Sequence, residues 1–516
     1  MKKVSSAIVP IISVDRKEPR PLHRQLYESY RAAIVDGTLR SGQRVPSSRI
    51  LAAELGISRM PVLNAYAQLT AEGYFESRVG AGTVVSSTIT ANTASPQTTN
   101  ARQGKTAVHG SKFAKPIFLP SFLELGTWQR SRGAFCVGQV SFEEFPFRVW
   151  NRLVTRHCRN ASENSLNYED PMGSRQLREA IAVYLRTARG VKCDVEQIMI
   201  VNGSQHALAI TTRALLSPND PVWMEEPGYA FARTIFALHN CRIMPVPVDS
   251  DGLNVALGIQ QCRKARAALV TPSHQYPLGV TMTASRRLQL LDWAERSGAW
   301  IIEDDYDSEY RYESMPIASL QGLDRHSRVV YIGTFSKVVF PSLRLGYIVV
   351  PSDLVNRFLA VRFAMDLGSG TFHQAVLADF IREGHFSRHI RRMRSLYSER
   401  RNILIESIQD ELGRQAEVTG AQAGMHLAVT MDGISDREVA DRAVHQELWL
   451  VPLSTSYAGS HPKQGFVLGF GSIRARDIPA AVRSLRAVLT ANRRKTPAAR
   501  VATTNIVRMA PNAKYV

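Results

Sequence analysis

An amine, two hydroxyls and a guanidinium crowd into the stretch Tyr331–Tyr347, YIGTFSKVVFPSLRLGY. Thr334, Ser336 and Arg344 suit a phosphate dianion, which accepts several hydrogen bonds and pairs bidentately with arginine. Lys337, held beside such a site and partly desolvated, loses ammonium character and can form a Schiff base with an aldehyde. A ligand that carries both groups is pyridoxal phosphate (PLP). A serine–lysine pair by itself is commoner in surface loops, so the reading depends on what stands upstream.

Two carboxylate-rich segments supply the rest of that chemistry. Trp300-Ile301-Ile302-Glu303-Asp304-Asp305-Tyr306 is an apolar run that ends in acids. A carboxylate facing a pyridine nitrogen keeps it protonated and lets the ring withdraw electrons, a task assigned to Asp304. The Tyr306 phenol can hydrogen-bond the ring's O3′. Pro221–Tyr229, PVWMEEPGY, is another apolar run followed by a turn, and offers Tyr229 as a flat platform for a ring. Gly203, Ser204 and Gln205 open a helix after Val201, where backbone amides can hold a phosphate.

These groups must be positioned by strands. Apolar runs at Gln197–Val201, Pro221–Met224, Cys241–Val246, Ala267–Thr271, Trp300–Glu303, Val329–Ile332 and Gly346–Val350 alternate with helical patterns, which predicts a largely parallel doubly wound sheet. Ligands in such sheets sit beyond the carboxyl ends of the strands, where all these side chains fall.

Residues from about 130 to 490 resemble a fold-type I aminotransferase. The lead-in from Pro46 to Val85, PSSRILAAELGISRMPVLNAYAQLTAEGYFESRVGAGTVV, resembles a GntR-type winged helix-turn-helix. Joined in one chain, the two resemble the MocR family of bacterial transcription regulators. The resemblance implies a winged helix-turn-helix (α+β) head, an aminotransferase-like α/β body that binds PLP on Lys337, and a smaller C-terminal α+β domain. It implies a homodimer on two half-sites of double-stranded DNA, each head lying against the partner's body. Where aminotransferases carry Asn-Pro-Thr-Gly, with the Asn on the cofactor's O3′, this chain has Tyr276-Pro277-Leu278-Gly279, the form that MocR-type chains show. His274 beside it reads either as part of that motif or as a packed loop histidine. Where aminotransferases hold a substrate carboxylate with arginine, this chain has Val467, with Arg474 and Arg476 further on. Turnover is therefore expected to be weak or absent, with an amine, an amino acid or PLP itself as effector.

The predicted domains are 16–86 for the DNA-binding head, 87–116 for a Thr- and Ser-rich linker, 117–490 for the body and 491–516 for a basic tail. Within the body the large domain is expected at about 145–385 and the small one at 386–490. In the head, helical spacing of Leu22, Leu26, Tyr30 and Ile34 gives way at Asp36-Gly37; Ser47 or Ser48 caps a second helix and Ser58 a third. Arg59, Met60 and Asn64 then face outward near a helix start that reaches base edges in the major groove. The resemblance places DNA contacts on Arg49, Ser58, Arg59, Asn64 and the wing glycines Gly80 and Gly82; Pro61 stands where many such helices carry threonine. A small helical bundle with solvated arginines is the plainer alternative.

Composition sets the outer limits. At 516 residues with a net charge of +19, the chain is long enough for two or three domains and favours a polyanionic partner. Between Arg16 and Val85, however, ten Lys and Arg face six Asp and Glu, so specificity rests on particular arginines. The five cysteines are scattered without a CxxC pair, which points to a reducing cytoplasm and to neither zinc nor disulfides. No signal peptide is evident, and no apolar run reaches the roughly 20 residues of a membrane span. The arginines from Arg388 to Arg401 read as a solvated basic helix face.

Overall fold

The computed structural model describes residues 12–78, 82–86, 133–161, 167–312, 317–459 and 461–493. The expected linker, Gly80 of the wing and residues 494–516 of the tail lie outside the described residues. The chain divides into two compact units, Met1–Lys115 and Pro116–Val516.

In the first unit, helices α1 (Leu22–Val35), α2 (Ser48–Glu54) and α3 (Arg59–Ala71) precede an antiparallel hairpin of β1 (Phe75–Arg78) and β2 (Gly82–Val85). The Ser47 hydroxyl accepts from the Ile50 amide and so starts α2, while Gly56, at φ +62°, ends it. Tyr30, Tyr66 and Phe75 meet edge to face with centroids 5.2–5.6 Å apart, at the centre of a core that includes Leu26, Leu51, Val62 and Leu69. The two tyrosine hydroxyls have partners here: Tyr66 donates to the Pro46 carbonyl at 2.9 Å and stands 3.2 Å from the Tyr30 oxygen. Helix-turn-helix and wing are thus one packed body, not a loose bundle.

The second unit is built on an eight-stranded sheet in the order β3-β10-β9-β8-β7-β4-β5-β6. Its strands are β3 (Ile198–Val201), β4 (Pro221–Glu226), β5 (Arg242–Asp249), β6 (Gly252–Leu253), β7 (Ala267–Val270), β8 (Trp300–Asp305), β9 (Val329–Thr334) and β10 (Gly346–Val349). The run β9-β8-β7-β4-β5 is parallel, as the alternating pattern predicts. Strand β10, however, is antiparallel to both β9 and β3, with Gly346 opposite Thr334. The connection Phe335–Leu345 is too short for the helical crossover that a parallel return requires. This wide hairpin loop carries Ser336, Lys337 and Arg344, and so brings them to one edge of the site.

A four-stranded antiparallel sheet in the order β11-β12-β14-β13 forms the smaller subdomain, from β11 (Glu417–Thr419), β12 (His426–Thr430), β13 (Val451–Pro452) and β14 (Gly465–Gly469). Its core includes Leu427, Phe466 and Leu468, and also Phe135 and Val140 from the start of the body. The long helix His385–Leu412 does not present all its arginines to solvent. Arg391 and Arg392 are exposed, but Arg400 is buried and donates to the Gly471 carbonyl and the Ser141 hydroxyl. Arg401, also buried, donates to the Ala421 carbonyl. Carbonyls without helical partners draw these guanidiniums inward, a signal absent from charge periodicity. All five cysteines are free thiols. Among the described residues no helix is long and apolar enough to cross a membrane.

Candidate functional site

Strand alternation separates the acids at the end of β8. Glu303 accepts from the Leu320 and Gln321 amides at 2.8 Å, and Asp305 pairs with Arg189 at 2.9 Å. Asp304 points to the opposite face and is buried. Its Oδ1, like that of Asp305, has no hydrogen-bond partner, but Asp305 is anchored through Oδ2 by Arg189, Ser308 and Tyr331, whereas among the described residues no side chain holds Asp304. Burial, reinforced by Asp305, Asp307 and Glu225, pushes its carboxyl up to about 7. A buried, unpartnered acceptor calls for a donor from outside the chain.

Lys337 faces the same space. Its Nζ donates to the Gly138 carbonyl at 3.0 Å, and burial lowers its ammonium below the ordinary lysine range against the opposing pull of Asp307 and Asp304. Any Cβ at Gly138 would collide with that Nζ. Gly138 was not singled out from sequence, because a lone glycine in an apolar run carries no chemical signal.

Around this pair stand the aromatic groups. Tyr229 follows β4 and packs edge-on against Tyr276 at 5.7 Å. Burial pushes the Tyr276 phenol up to about 12. Tyr306 also lies edge-on to Tyr276, at 6.4 Å, and its hydroxyl donates to the His274 carbonyl at 3.0 Å. His274 is buried against Asp307, so it is an engaged histidine and not mere loop packing.

The phosphate-binding candidates gather at the start of the helix Ser204–Leu215 (α4). Gly203 caps it at φ +87°, and the first intrahelical bond runs from the Ala207 amide to the Gly203 carbonyl. The preceding amides, of Ser204 and Gln205 among others, are the donors that a helix start leaves open. The exposed Arg344 lies across them: its Nη2 donates to the Asn202 carbonyl at 3.0 Å, and a Cβ on Gly203 would stand 3.5 Å from the guanidinium. Thr334 accepts from the Ser336 amide at 3.2 Å, which fixes the turn into the lysine loop. An anion cup, a half-buried amine and an orphaned carboxylate fit PLP in its phosphate, its aldehyde and its ring nitrogen.

Four acids, the buried Glu225, Glu303 and Asp304 and the half-buried Glu309, are each pushed up to about 7 by loss of water around them. Their folded pKa values lie above the unfolded ones, so the native body holds more protons and loses stability as pH rises from about 4.5 through 7. The thermal midpoint of the cofactor-free protein is therefore expected to be lower at pH 8 than at pH 6, and Glu303→Gln together with Glu309→Gln should flatten the slope in calorimetry.

In the head, Arg49, Ser58, Arg59, Met60 and Asn64 are all exposed around the start of α3. Ser58 occupies the cap position but makes no capping bond. The reason is local: Pro61, the third helical residue, has no N–H to donate. Arg59 Nε donates to the Ser48 hydroxyl at 3.1 Å, which pre-sets its side chain. Gly82, at φ +85°, packs under Arg44: a Cβ there would stand 3.0 Å from the guanidinium. Arg44, unmarked by sequence reasoning, thus lies along the wing. Arg59→Ala is expected to weaken operator binding by about 1–3 kcal/mol, roughly 5- to 150-fold, in a fluorescence anisotropy titration at fixed salt.

Residues 22–85 match the family of bacterial regulatory proteins, gntR family, and residues 134–465 match aminotransferase class I and II. A winged-helix DNA-binding head and an aminotransferase-like, PLP-binding body define a class of two-part regulators. A probable rhizopine catabolism regulatory protein, MocR, of Rhizobium meliloti is 39% identical over 93% of this chain and 96% of its own length. The pyridoxine biosynthesis transcriptional regulator PdxR of Corynebacterium glutamicum is 31% identical over 89% of this chain and 94% of its own. The chain belongs to the MocR family of transcription regulators. Its body is similar to the kynurenine aminotransferase of Pyrococcus horikoshii, at 26% identity and a TM-score of 0.69, over 74% of this chain and 97% of that one.

Proposed function

We propose that this regulator senses an amine, an amino acid or PLP itself in its body and conveys the state of that site to DNA through its head. The observation that carries the reading is Asp304: a buried carboxylate with an unpartnered oxygen, on the face that also holds Lys337. In this reading 16–86 is the head and 117–490 the body. Lys337 attaches the cofactor, Asp304 pairs with its ring nitrogen, Tyr306 faces its O3′, Tyr229 stacks on the ring and Tyr276 stands beside it. Gly203, Ser204, Gln205, Thr334, Ser336 and Arg344 hold the phosphate. PLP, when bound, supplies an electrophilic carbon for amines and a ring that withdraws electrons.

Sensing rather than turnover is supported by the small subdomain. Val467 is buried in β14 between Ala428 and Val451, and Arg474 pairs with Glu143 at the surface. Without a bidentate arginine, an amino acid's carboxylate lacks the orientation that repeated turnover needs. An effector shifts the heads only by binding two conformations of the protein unequally. A homodimer in the cytoplasm, with two heads on two half-sites, is the proposed working form.

The test titrates candidate amines, amino acids and PLP against binding of the upstream DNA of the neighbouring gene. A ligand-dependent change in affinity that Lys337→Ala abolishes is the expected result. Sustained keto-acid production from an amino donor, abolished by the same substitution, would instead establish a true aminotransferase with an accessory head.

A further inference from the structure

Behind Tyr306 lies a buried pair that the reading above leaves without a task. His274 sits in the turn after β7 and Asp307 in the turn after β8. His274 Nδ1 lies 3.2 and 3.1 Å from the two oxygens of Asp307, and 3.1 Å from the Tyr306 hydroxyl. An unprotonated Nδ1 would set its lone pair against a carboxylate, so this geometry places the proton on Nδ1. Nε2 is buried without a partner, and a proton there would bury an N–H with no acceptor. The neutral Nδ1–H tautomer satisfies both conditions.

A phenol has one proton and two lone pairs. With the proton on Nδ1, the Tyr306 oxygen shares that N–H with the Asp307 carboxylate, while its own proton rests on the His274 carbonyl. Anchored as an acceptor, the hydroxyl can swing that one proton toward an anionic oxygen in the site without losing its other hydrogen bond.

The small subdomain closes over this pair. The Met425 amide donates to Asp307 Oδ2 at 3.3 Å, and the His426 ring lies 4.7 Å from the His274 ring. His426 Nε2 stands 3.3 Å from the Pro277 carbonyl, in the same turn that carries His274. Gly424, at φ +76°, lets the chain pass so close that any Cβ would collide with the His274 ring.

We propose that Asp307 and His274 are positioning residues that aim the single proton of Tyr306 at a ring oxygen of the bound cofactor, and that the segment Gly424–His426 of the small subdomain holds them in register. The proposal rests on Tyr306 facing that oxygen, as in the function proposed above. Lys337, Asp304, Glu225, Tyr276 and His426 are the other titratable groups around Tyr306 and the pair. All of them keep their identity in the variants below; Asp307→Asn also removes a charge felt by Lys337 and Asp304, and His274→Leu tests the positioning role with Asp307 in place.

The experiment follows the visible absorption band of the purified, PLP-loaded full chain as a function of pH. Removing a hydrogen bond donated to an anionic oxygen should move the midpoint up by about one pH unit, and this is expected for Tyr306→Phe, His274→Leu and Asp307→Asn. His274→Asn keeps an N–H near the Nδ1 position and should restore most of the shift. If Tyr306→Phe moves the midpoint but neither His274→Leu nor Asp307→Asn does, the positioning role is overturned. If Tyr306→Phe leaves it unmoved, the placement of Tyr306 on the ring oxygen fails, and the proposal with it. The ligand atoms of His274, Asp307 and His426 also lie within 4.8 Å of one another. A cation there would strip Nδ1 of its proton, so stoichiometric metal in the purified protein would likewise overturn the proposal.

Discussion

Lys337→Ala is expected to yield a colourless protein, with no mass added by borohydride after incubation with PLP. Residual cofactor should then be held only by the phosphate cup and Asp304, with affinity lower by at least about a hundredfold, roughly 3 kcal/mol. Nζ donates to the Gly138 carbonyl and feels the charges of Asp304 and Asp307, with burial already lowering its proton affinity. The head has a core of its own, built on Tyr30, Tyr66 and Phe75, so the substitution should leave folding of the head and basal DNA binding intact. What should vanish is the response of DNA binding to amines. Mass spectrometry, absorption and anisotropy measured on one preparation check all three. A Lys337→Ala protein that still gains the borohydride adduct would show that another lysine carries the cofactor.

Asp304→Asn is expected to act with opposite signs on the loaded and the empty protein. With PLP bound, the carboxylate loses its charge partnership with the ring nitrogen. Breaking a buried pair from one side costs about 3–5 kcal/mol, so cofactor affinity should fall by roughly two to three orders of magnitude or more. Without PLP, Asp304 is a buried acid whose Oδ1 has no partner and whose carboxyl is pushed up to about 7. Above that pH it must ionise in a dry environment, and the amide avoids the cost. The empty variant should therefore melt higher than the empty parent at pH 8, by a smaller margin at pH 5.5, and level with it only near pH 4, where the unfolded carboxyl is itself protonated. Calorimetry at these pH values, with and without PLP, separates the two signs. Equal destabilisation in both states would mean that Asp304 serves only the packing of β8.

Much of this could be read from the chain before folding. The order of strand-end motifs, from Gly203 through Tyr229, Tyr276 and Asp304 to Lys337, is carried by residue type and spacing, and so is the helix-turn-helix with Arg59 at the start of its third helix. Apolar periodicity is a local property, and the strands it marked lie within a few residues of those observed. Charge periodicity was a poorer guide: Arg400 and Arg401 read as solvated, yet carbonyls at Gly471 and Ala421 hold them inside.

The amino-acid sequence alone determined which chemistries the protein carries, because a lysine, an acid and a phosphate cup are identities that folding cannot change. Tertiary structure alone decided which of three adjacent acids is left open to a ligand, since strand alternation turns Glu303 and Asp305 toward protein partners and Asp304 away from them. It also decided that Gly138 meets Lys337, that β10 runs antiparallel, and that His274, Asp307 and His426 converge. Each of these depends on contacts between segments far apart in the chain, and such contacts leave no trace in local spacing.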